Sequence, residues 1–246
     1  MMLKILSIPL SLLAYSWFFF FLCLFEPIQW ICLNIFGYQA HKKSVDLLNF
    51  FLEKTTYFLF SYITFENREL IPTGKPIIFV SNHQSLMDII GMAWFLRKHH
   101  VKYVSKIELG KYVPSISYNL NHGGSVLIDR KKPKQALPEL KKLAVYIQKY
   151  NRSAVIYPEG TRTKTGHPKE FASNGLKILC KYAPDAFVVP ITINNSWKVN
   201  RYGHFPLGLF NKITFTIHPA ISVADNDFKT LFEYTEKAVV DSIVIN

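Results

Sequence analysis

From residue 5 to residue 25 the chain carries no charged side chain. At ~1.5 Å per residue such a run, if helical, spans roughly 30 Å, the thickness of a bilayer core. Pro9 and the serines within it are tolerable in a membrane helix. A cleaved signal peptide is the competing reading. The length of the run, the single preceding Lys4 and the lack of a small-x-small site after it argue against cleavage. Glu26-Pro27 is expected to break the segment. Residues 28–38 are apolar again, with Trp30 and Tyr38 suited to a membrane interface, and read as a second, interfacial helix. Residues 1–40 are therefore expected to form a membrane anchor, a transmembrane or deeply inserted helix plus an interfacial one. Residues 41–74 are expected to supply an amphipathic linker helix and a polar loop, and residues 75–246 the main domain. The basic flank His41-Lys42-Lys43 favours the cytoplasmic side of an inner membrane for that domain.

Beyond residue 75 short β-branched runs alternate with helical patterns. Strands are expected at 77–80, 101–105, 125–129, 154–157, 187–193 and 213–217, and helices at 88–98, 135–150, 175–182 and 228–243. This is an α/β pattern: a mixed, largely parallel sheet flanked by helices, behind an N-terminal membrane-anchoring helical segment. The formal charge of +12 and pI of about 9.5 suggest an anionic partner, either nucleic acid or an anionic membrane surface with phosphorylated substrates. The apolar and aromatic content favours the membrane, and no nucleic-acid-binding motif is recognised. Cys23, Cys32 and Cys180 form no close pair, so neither a disulfide framework nor a zinc site is indicated, and a reducing compartment suits the main domain.

Three stretches carry chemistry. In Ser81-Asn82-His83-Gln84-Ser85-Leu86-Met87-Asp88 a His lies in the turn after a buried strand, and an Asp five positions later lies in the first turn of a helix. The carboxylate can hold one ring nitrogen as a donor and leave the other free to take a proton. Ser85 to Asp88 also fits a helix capping box. On that view alone Asp88 only neutralises amides and His83 is a loop residue, but capping and catalysis are compatible.

In Pro158-Glu159-Gly160-Thr161-Arg162 a proline stops a strand and a glycine permits a tight turn. Glu159 and Arg162 then stand where open α/β sheets bind ligands. A guanidinium there can clamp a phosphate, or the pair can simply fix the turn. Gly124 to Arg130 is an apolar strand closed by Asp129-Arg130. The run Lys131, Lys132 and Lys134 behind it reads as a solvated loop. Lys106, after the second strand, has the same placement as Arg130. No Walker loop, dinucleotide glycine fingerprint, metalloprotease His-Glu pair or Gly-x-Ser-x-Gly elbow is present. A His base without an obvious protein nucleophile suits direct attack of a substrate hydroxyl on an activated carbonyl.

Together these blocks resemble the glycerolipid acyltransferase family, in particular its bacterial lysophosphatidic acid acyltransferases. His-x4-Asp is His83 and Asp88. The Gly-led strand ending in Asp-Arg is residues 124–130, with Lys106, Glu108 and Leu109 upstream. Pro-Glu-Gly-Thr-Arg is residues 158–162, and the Val-Pro strand is residues 188–191. The resemblance covers about residues 75–195, in the family order. It implies that His83 is general base toward a lysolipid hydroxyl and that Asp88 orients it. It implies an acceptor site of Glu159, Gly160, Thr161 and Arg162, with Arg130 and Lys106 as further phosphate contacts. It implies acyl-CoA or acyl carrier protein as co-substrate, and neither a metal nor another cofactor.

One departure stands out. Many members follow the third block with Phe-Lys-Lys-Gly, whereas here Phe171-Ala172-Ser173-Asn174-Gly175 is one residue longer and neutral. The expected reaction is transfer of a fatty acyl chain to lysophosphatidic acid in phospholipid biosynthesis. An amino-acid-headgroup lysolipid of ornithine or glycine type is the alternative acceptor, and a non-catalytic anionic-lipid-binding membrane protein is the rival class.

Overall fold

The structure is a computed structural model that describes residues 2–129 and 133–245. It opens on helix α1, Met2–Phe36, roughly 52 Å long at ~1.5 Å per residue. This is one helix where the sequence suggested two, because Glu26-Pro27 does not break it. Contacts on this stretch support continuity: Ser115 Oγ donates to the Leu22 carbonyl at 2.6 Å, and the Ser115 amide donates to the Glu26 carboxylate. Tertiary contact overrides the local proline penalty.

The chain turns at Gly37, φ +80°, into α2, Tyr38–Glu53, and the short α3, Thr55–Phe58. The inward stripe of α1 includes Ser7, Ser11 and Gln29 beside Phe21, Leu22 and Phe25. Its outward face carries Leu12, Leu13, Phe19, Phe20, Ile35 and Phe36, all well exposed. Ser7, Ser11 and Gln29 thus turn toward the protein while large apolar side chains face away from it, the pattern of a lipid-facing helix. Trp17 Nε1 donates to the Phe51 carbonyl at 2.7 Å and Phe21 stacks on Phe51 at 4.1 Å, which fixes α1 against α2.

The sheet is built from β1 (Tyr62–Glu66), β2 (Ile77–Ser81), β3 (Val101–Lys106), β4 (Val126–Ile128), β5 (Ser153–Ile156), β6 (Phe187–Asn194), β7 (Lys212–Ile217) and β8 (Ile221–Ser222). Their order is β1-β7-β6-β2-β5-β3-β4, with β8 also on β6. The pairs from β6 through β2, β5 and β3 to β4 are parallel, as is β1 with β7, while β7 and β8 run antiparallel to β6. The six expected strands are all present. β1 is an addition: its residues Tyr62 to Glu66 fall where an amphipathic helix was expected to give way to a polar loop, and only pairing with β7 defines them.

Alternation along the central strands explains their unbroken apolar runs. Ile77 and Phe79 of β2 and Val189 and Ile191 of β6 join the core beneath α1, α2 and α4 (Leu86–Phe95). Ile78, Val80 and Val188 join the core on the other face. There α6 (Pro133–Tyr150) supplies Leu143 and Ile147, α7 (Ser173–Tyr182) Leu176 and Leu179, and α8 (Phe228–Val240) Leu231 and Val239. A parallel sheet covered on both faces needs this composition. A further helix, α5 (Ile116–His122), lies against α1.

Candidate active site

The centre of the sheet positions the first block. β2 ends at Ser81, and the Asn82 amide is bound on both sides by β6: its Nδ2 donates to the Ile193 carbonyl at 2.8 Å, and its Oδ1 accepts from the Ile193 N–H at 2.7 Å. That clamp replaces the ladder where β2 stops and hands His83 to the C-terminal edge. Ser85 then caps α4. Its Oγ accepts from Met87 N–H at 3.0 Å and touches Ser196 Oγ.

Asp88 is completely buried. One oxygen, Oδ2, accepts from Gln84 N–H at 2.6 Å, from Ser85 N–H at 2.8 Å and from His83 Nδ1 at 2.8 Å. The capping box and the His–Asp pair are therefore one structure. Two amides and the helix N-terminus complete the donor set around the Asp88 carboxylate. The anion makes Nδ1 the protonated nitrogen, so Nε2 carries the basic lone pair. The Tyr157 ring stacks on the imidazole at 4.2 Å and 20°.

β5 lies beside β2, so the second block meets the first. Glu159 Oε1 accepts from the His83 N–H at 2.8 Å, and Oε2 accepts from Lys169 N–H at 3.1 Å. The Thr163 N–H donates to the His83 carbonyl at 2.8 Å. Glu159 is thus a buried strap that ties the turn to the histidine loop. Burial raises its carboxyl pKa, against the lowering effect of the two amides and of nearby His83 and Lys169. Gly160, φ +68°, takes the left-handed conformation that a residue with Cβ rarely adopts. The turn leaves Thr161 and Arg162 exposed.

Lys169 was missed by sequence reasoning. Its Nζ donates to Thr161 Oγ1 at 2.6 Å and to the Arg162 carbonyl at 3.1 Å. It lies just upstream of the neutral 171–175 stretch, so this edge has a second cation despite the departure in motif. Ala172, Asn174 and Gly175 of that stretch line a recess of about 310 Å³ beside Pro158 and Gly160. Tyr157 was also passed over. Its place at the end of a strand next to the motif was the available signal.

Lys106 stands exposed at the C-terminal end of β3, one strand beyond β5 in the same row. At ~4.8 Å per strand this places its backbone roughly 10 Å from β2. Arg130 lies outside the described residues; the strand that leads to it, β4, is next in the row. Sheet order thus sets the blocks side by side along one edge.

A cavity of about 160 Å³ runs along α4 between Leu86, Ile89, Ile90 and Ala93 and the strand residues Val101, Tyr103 and Ser105. Its walls along these residues are largely apolar. Tyr103 closes one side, with its hydroxyl donating to the Ile89 carbonyl at 3.2 Å; burial raises that phenol's pKa.

An acyltransferase family model matches residues 62–194. That is more than half of the chain and holds every block described above, so the chain belongs to the acyltransferase family. It is 33% identical over 154 residues to a 1-acyl-sn-glycerol-3-phosphate acyltransferase of Helicobacter pylori, a match covering 59% of this chain and 62% of the relative. It is 28% identical to the chloroplastic 1-acyl-sn-glycerol-3-phosphate acyltransferase LPAT1 of Arabidopsis thaliana, covering 66% and 44%. The chain thus spans less than two thirds of the length of these curated relatives. The crystal structure of PlsC, the 1-acyl-sn-glycerophosphate (LPA) acyltransferase of Thermotoga maritima, superposes with a TM-score of 0.77 at 23% identity, covering 95% of this chain and 94% of that one. The two chains share one fold over nearly their whole length.

Proposed function

We propose that the protein transfers a fatty acyl chain from a thioester, acyl-CoA or acyl carrier protein, to the free hydroxyl of lysophosphatidic acid. The observation that carries this is the buried His83–Asp88 pair at the sheet edge, bound through Glu159 to the exposed Arg162 turn. His83 Nε2 takes the hydroxyl proton as the oxygen attacks the thioester carbonyl carbon. The tetrahedral oxyanion collapses, the C–S bond breaks, and the leaving thiolate recovers the proton from the imidazolium. General-base help of this kind contributes about 10²–10⁴-fold, and holding the two substrates together contributes further.

Arg162, with Lys169 beside it, would meet the acceptor phosphate, and Lys106 and Arg130 would extend the same cationic row. The apolar cavity along α4 is lined from Leu86, in the first turn of the helix that the histidine loop leads into, and suits an acyl chain. α1 would hold the domain at the membrane where both substrates lie, with the catalytic edge on the cytoplasmic side. An amino-acid-headgroup acceptor is the second reading, motivated by the neutral 171–175 stretch. Lys169 weighs against it, because it supplies a cation the motif otherwise lacks.

Thiol release from an acyl thioester by detergent-purified protein tests the proposal, with lysophosphatidic, lyso-ornithine and lyso-glycine acceptors side by side. Release with lysophosphatidic acid that disappears in His83→Ala is expected. Release with an amino-acid lipid alone would change the acceptor. No release with any acceptor and either donor would defeat the enzymatic reading.

A further inference from the structure

The same cavity ends at the opposite edge of the sheet, where its lining changes from apolar to cationic. Lys42, Arg97 and Lys102 line that end together with Tyr38, His41 and one carboxylate, Asp46. Asp46 is committed to Lys42. Lys102, only 6% exposed, has no carboxylate partner among the described residues, and its Nζ lies 5.4 Å from the centre of the Tyr38 ring. Arg97 stacks on Trp94 at 3.8 Å and donates to its carbonyl at 2.8 Å. A fourth cation, Arg152, lies 4.9 Å from the same Tyr38 ring and donates to its hydroxyl at 3.2 Å. His41 is buried, and its Nε2 has no hydrogen-bond partner among the described residues.

Four cations around one carboxylate repel one another, and at low local dielectric that repulsion is costly. Tyr38 offsets part of it: its ring faces both Lys102 and Arg152, the geometry of cation–π attraction. The rest shows in the protonation equilibria. Burial, Arg152 and Lys42 push the Lys102 ammonium down to about 7, against the raising effect of Asp46. Burial, Lys102 and His122 push His41 down to about 4. Nothing in the acyl-transfer reaction uses these groups, which lie at the far end of α4 from His83.

We propose that this cationic end is a binding site for a phosphate-type oxyanion, either free phosphate or the headgroup of an anionic lipid. The charge deficit matches such a ligand, since a phosphate monoester carries about −1.5 to −2 at neutral pH. The donors match as well. Lys42, Arg97 and Lys102 face the cavity and supply charge-assisted bonds, and His41 Nε2 is a buried polar atom still lacking a partner. The position gives a lipid headgroup access. Tyr38 is the first residue of α2, directly after the Gly37 turn, and α1 carries its exposed Ile35 and Phe36 up to that point. The lipid-facing strip of α1 therefore ends beside the cluster.

Thermal unfolding of the full chain in dodecyl maltoside tests this. Inorganic phosphate should raise Tm in a saturable way, and chloride at matched ionic strength should not. Lys102→Met should raise Tm without phosphate, because an unpaired buried charge is gone, and should weaken the apparent phosphate affinity at least about tenfold. Arg152→Gln should also weaken it, which covers a failure of the first variant to fold. Arg162→Ala removes the acceptor-phosphate contact at the other edge, and the part of the phosphate response that Lys102→Met abolishes should persist in it. Adding phosphatidylglycerol to the micelles identifies the source: loss of the phosphate increment means that a lipid headgroup fills the site, and persistence means that the free ion does. An equal rise with chloride, or a response lost in Arg162→Ala and kept in Lys102→Met, would overturn the proposal.

Discussion

The two edges of the sheet handle charge in opposite ways. At the C-terminal edge each buried acid has its donors. Asp88 holds His83 and two amides on one oxygen, and Glu159 holds one amide on each oxygen. At the N-terminal edge four cations share one carboxylate, and a phenol ring does part of the work of a counterion. The first arrangement is complete without a ligand and presents one free nitrogen in a fixed direction. The second has positive charge in excess and gains most when something anionic arrives. Preorganised chemistry and the proposed anion binding thus occupy opposite edges of one sheet.

The largest effect should come from breaking the complete edge. His83→Ala is expected to lower kcat by about 10³-fold, within the usual range for loss of a general base, with Tm little changed. Stopped-flow or thiol-release kinetics would measure it; loss of less than about tenfold would remove His83 from the chemistry. Asp88→Asn should come next at about 10²-fold. In Asn the oxygen at the Oδ2 position can still accept from His83 Nδ1, Gln84 and Ser85, since a single oxygen takes all three bonds, but the negative charge that stabilises the imidazolium is lost. A pH–rate profile separates the two variants, since only Asp88→Asn keeps an imidazole limb.

Arg162→Ala should act on the acceptor instead of on the chemistry. Loss of a charge-assisted contact of about 1.5–3 kcal/mol corresponds to a KM for lysophosphatidic acid raised roughly 10- to 100-fold, with kcat far less affected. An equal rise for a neutral acceptor would detach Arg162 from the phosphate. Glu159→Gln should be smaller in kcat and visible mainly in stability. One of its two backbone amides, on His83 or Lys169, would face an N–H2 group, at a cost of about 1–3 kcal/mol. Urea denaturation would read it, and an unchanged midpoint would mean that the strap contributes nothing.

Much of the complete edge was legible from residue order alone. A strand, a polar turn and a capped helix fix where His83 and Asp88 must lie, and Pro158 and Gly160 fix the second turn. Sheet order could not be read, because only pairing tells that β5 sits between β2 and β3 and so brings Glu159 onto the His83 amide. Pro27 misled, since local propensity says nothing of the Ser115 contacts that flank it. The cationic edge was not legible at all. Lys42 enters the sequence reading only as part of the basic flank that orients the anchor, and nothing in the sequence singles out Lys102 or Arg152. They meet only because β3 and β5 are neighbours and the α1–α2 turn delivers Tyr38 over both.

The smallest effect sharpens the comparison most. The folded-state pKa of Lys102 is depressed to about 7, well below the usual 10.5. Between those values the unfolded chain binds more protons at this position than the folded one. By linkage this contribution to stability rises with pH across that window. The cost of the buried charge is fully present below pH 7 and has been relieved by about pH 10.5. Other lysines and tyrosines titrate in the same range, so the informative quantity is the difference between Lys102→Met and the unaltered chain. The variant should be the more stable at about pH 7, and its advantage should shrink steadily toward about pH 10 when no phosphate is present. Saturating phosphate at about pH 7 should shrink it as well, by supplying the missing negative charge. A difference that stays flat with pH would mean that Lys102 is already paired. The two edges of the sheet would then be alike.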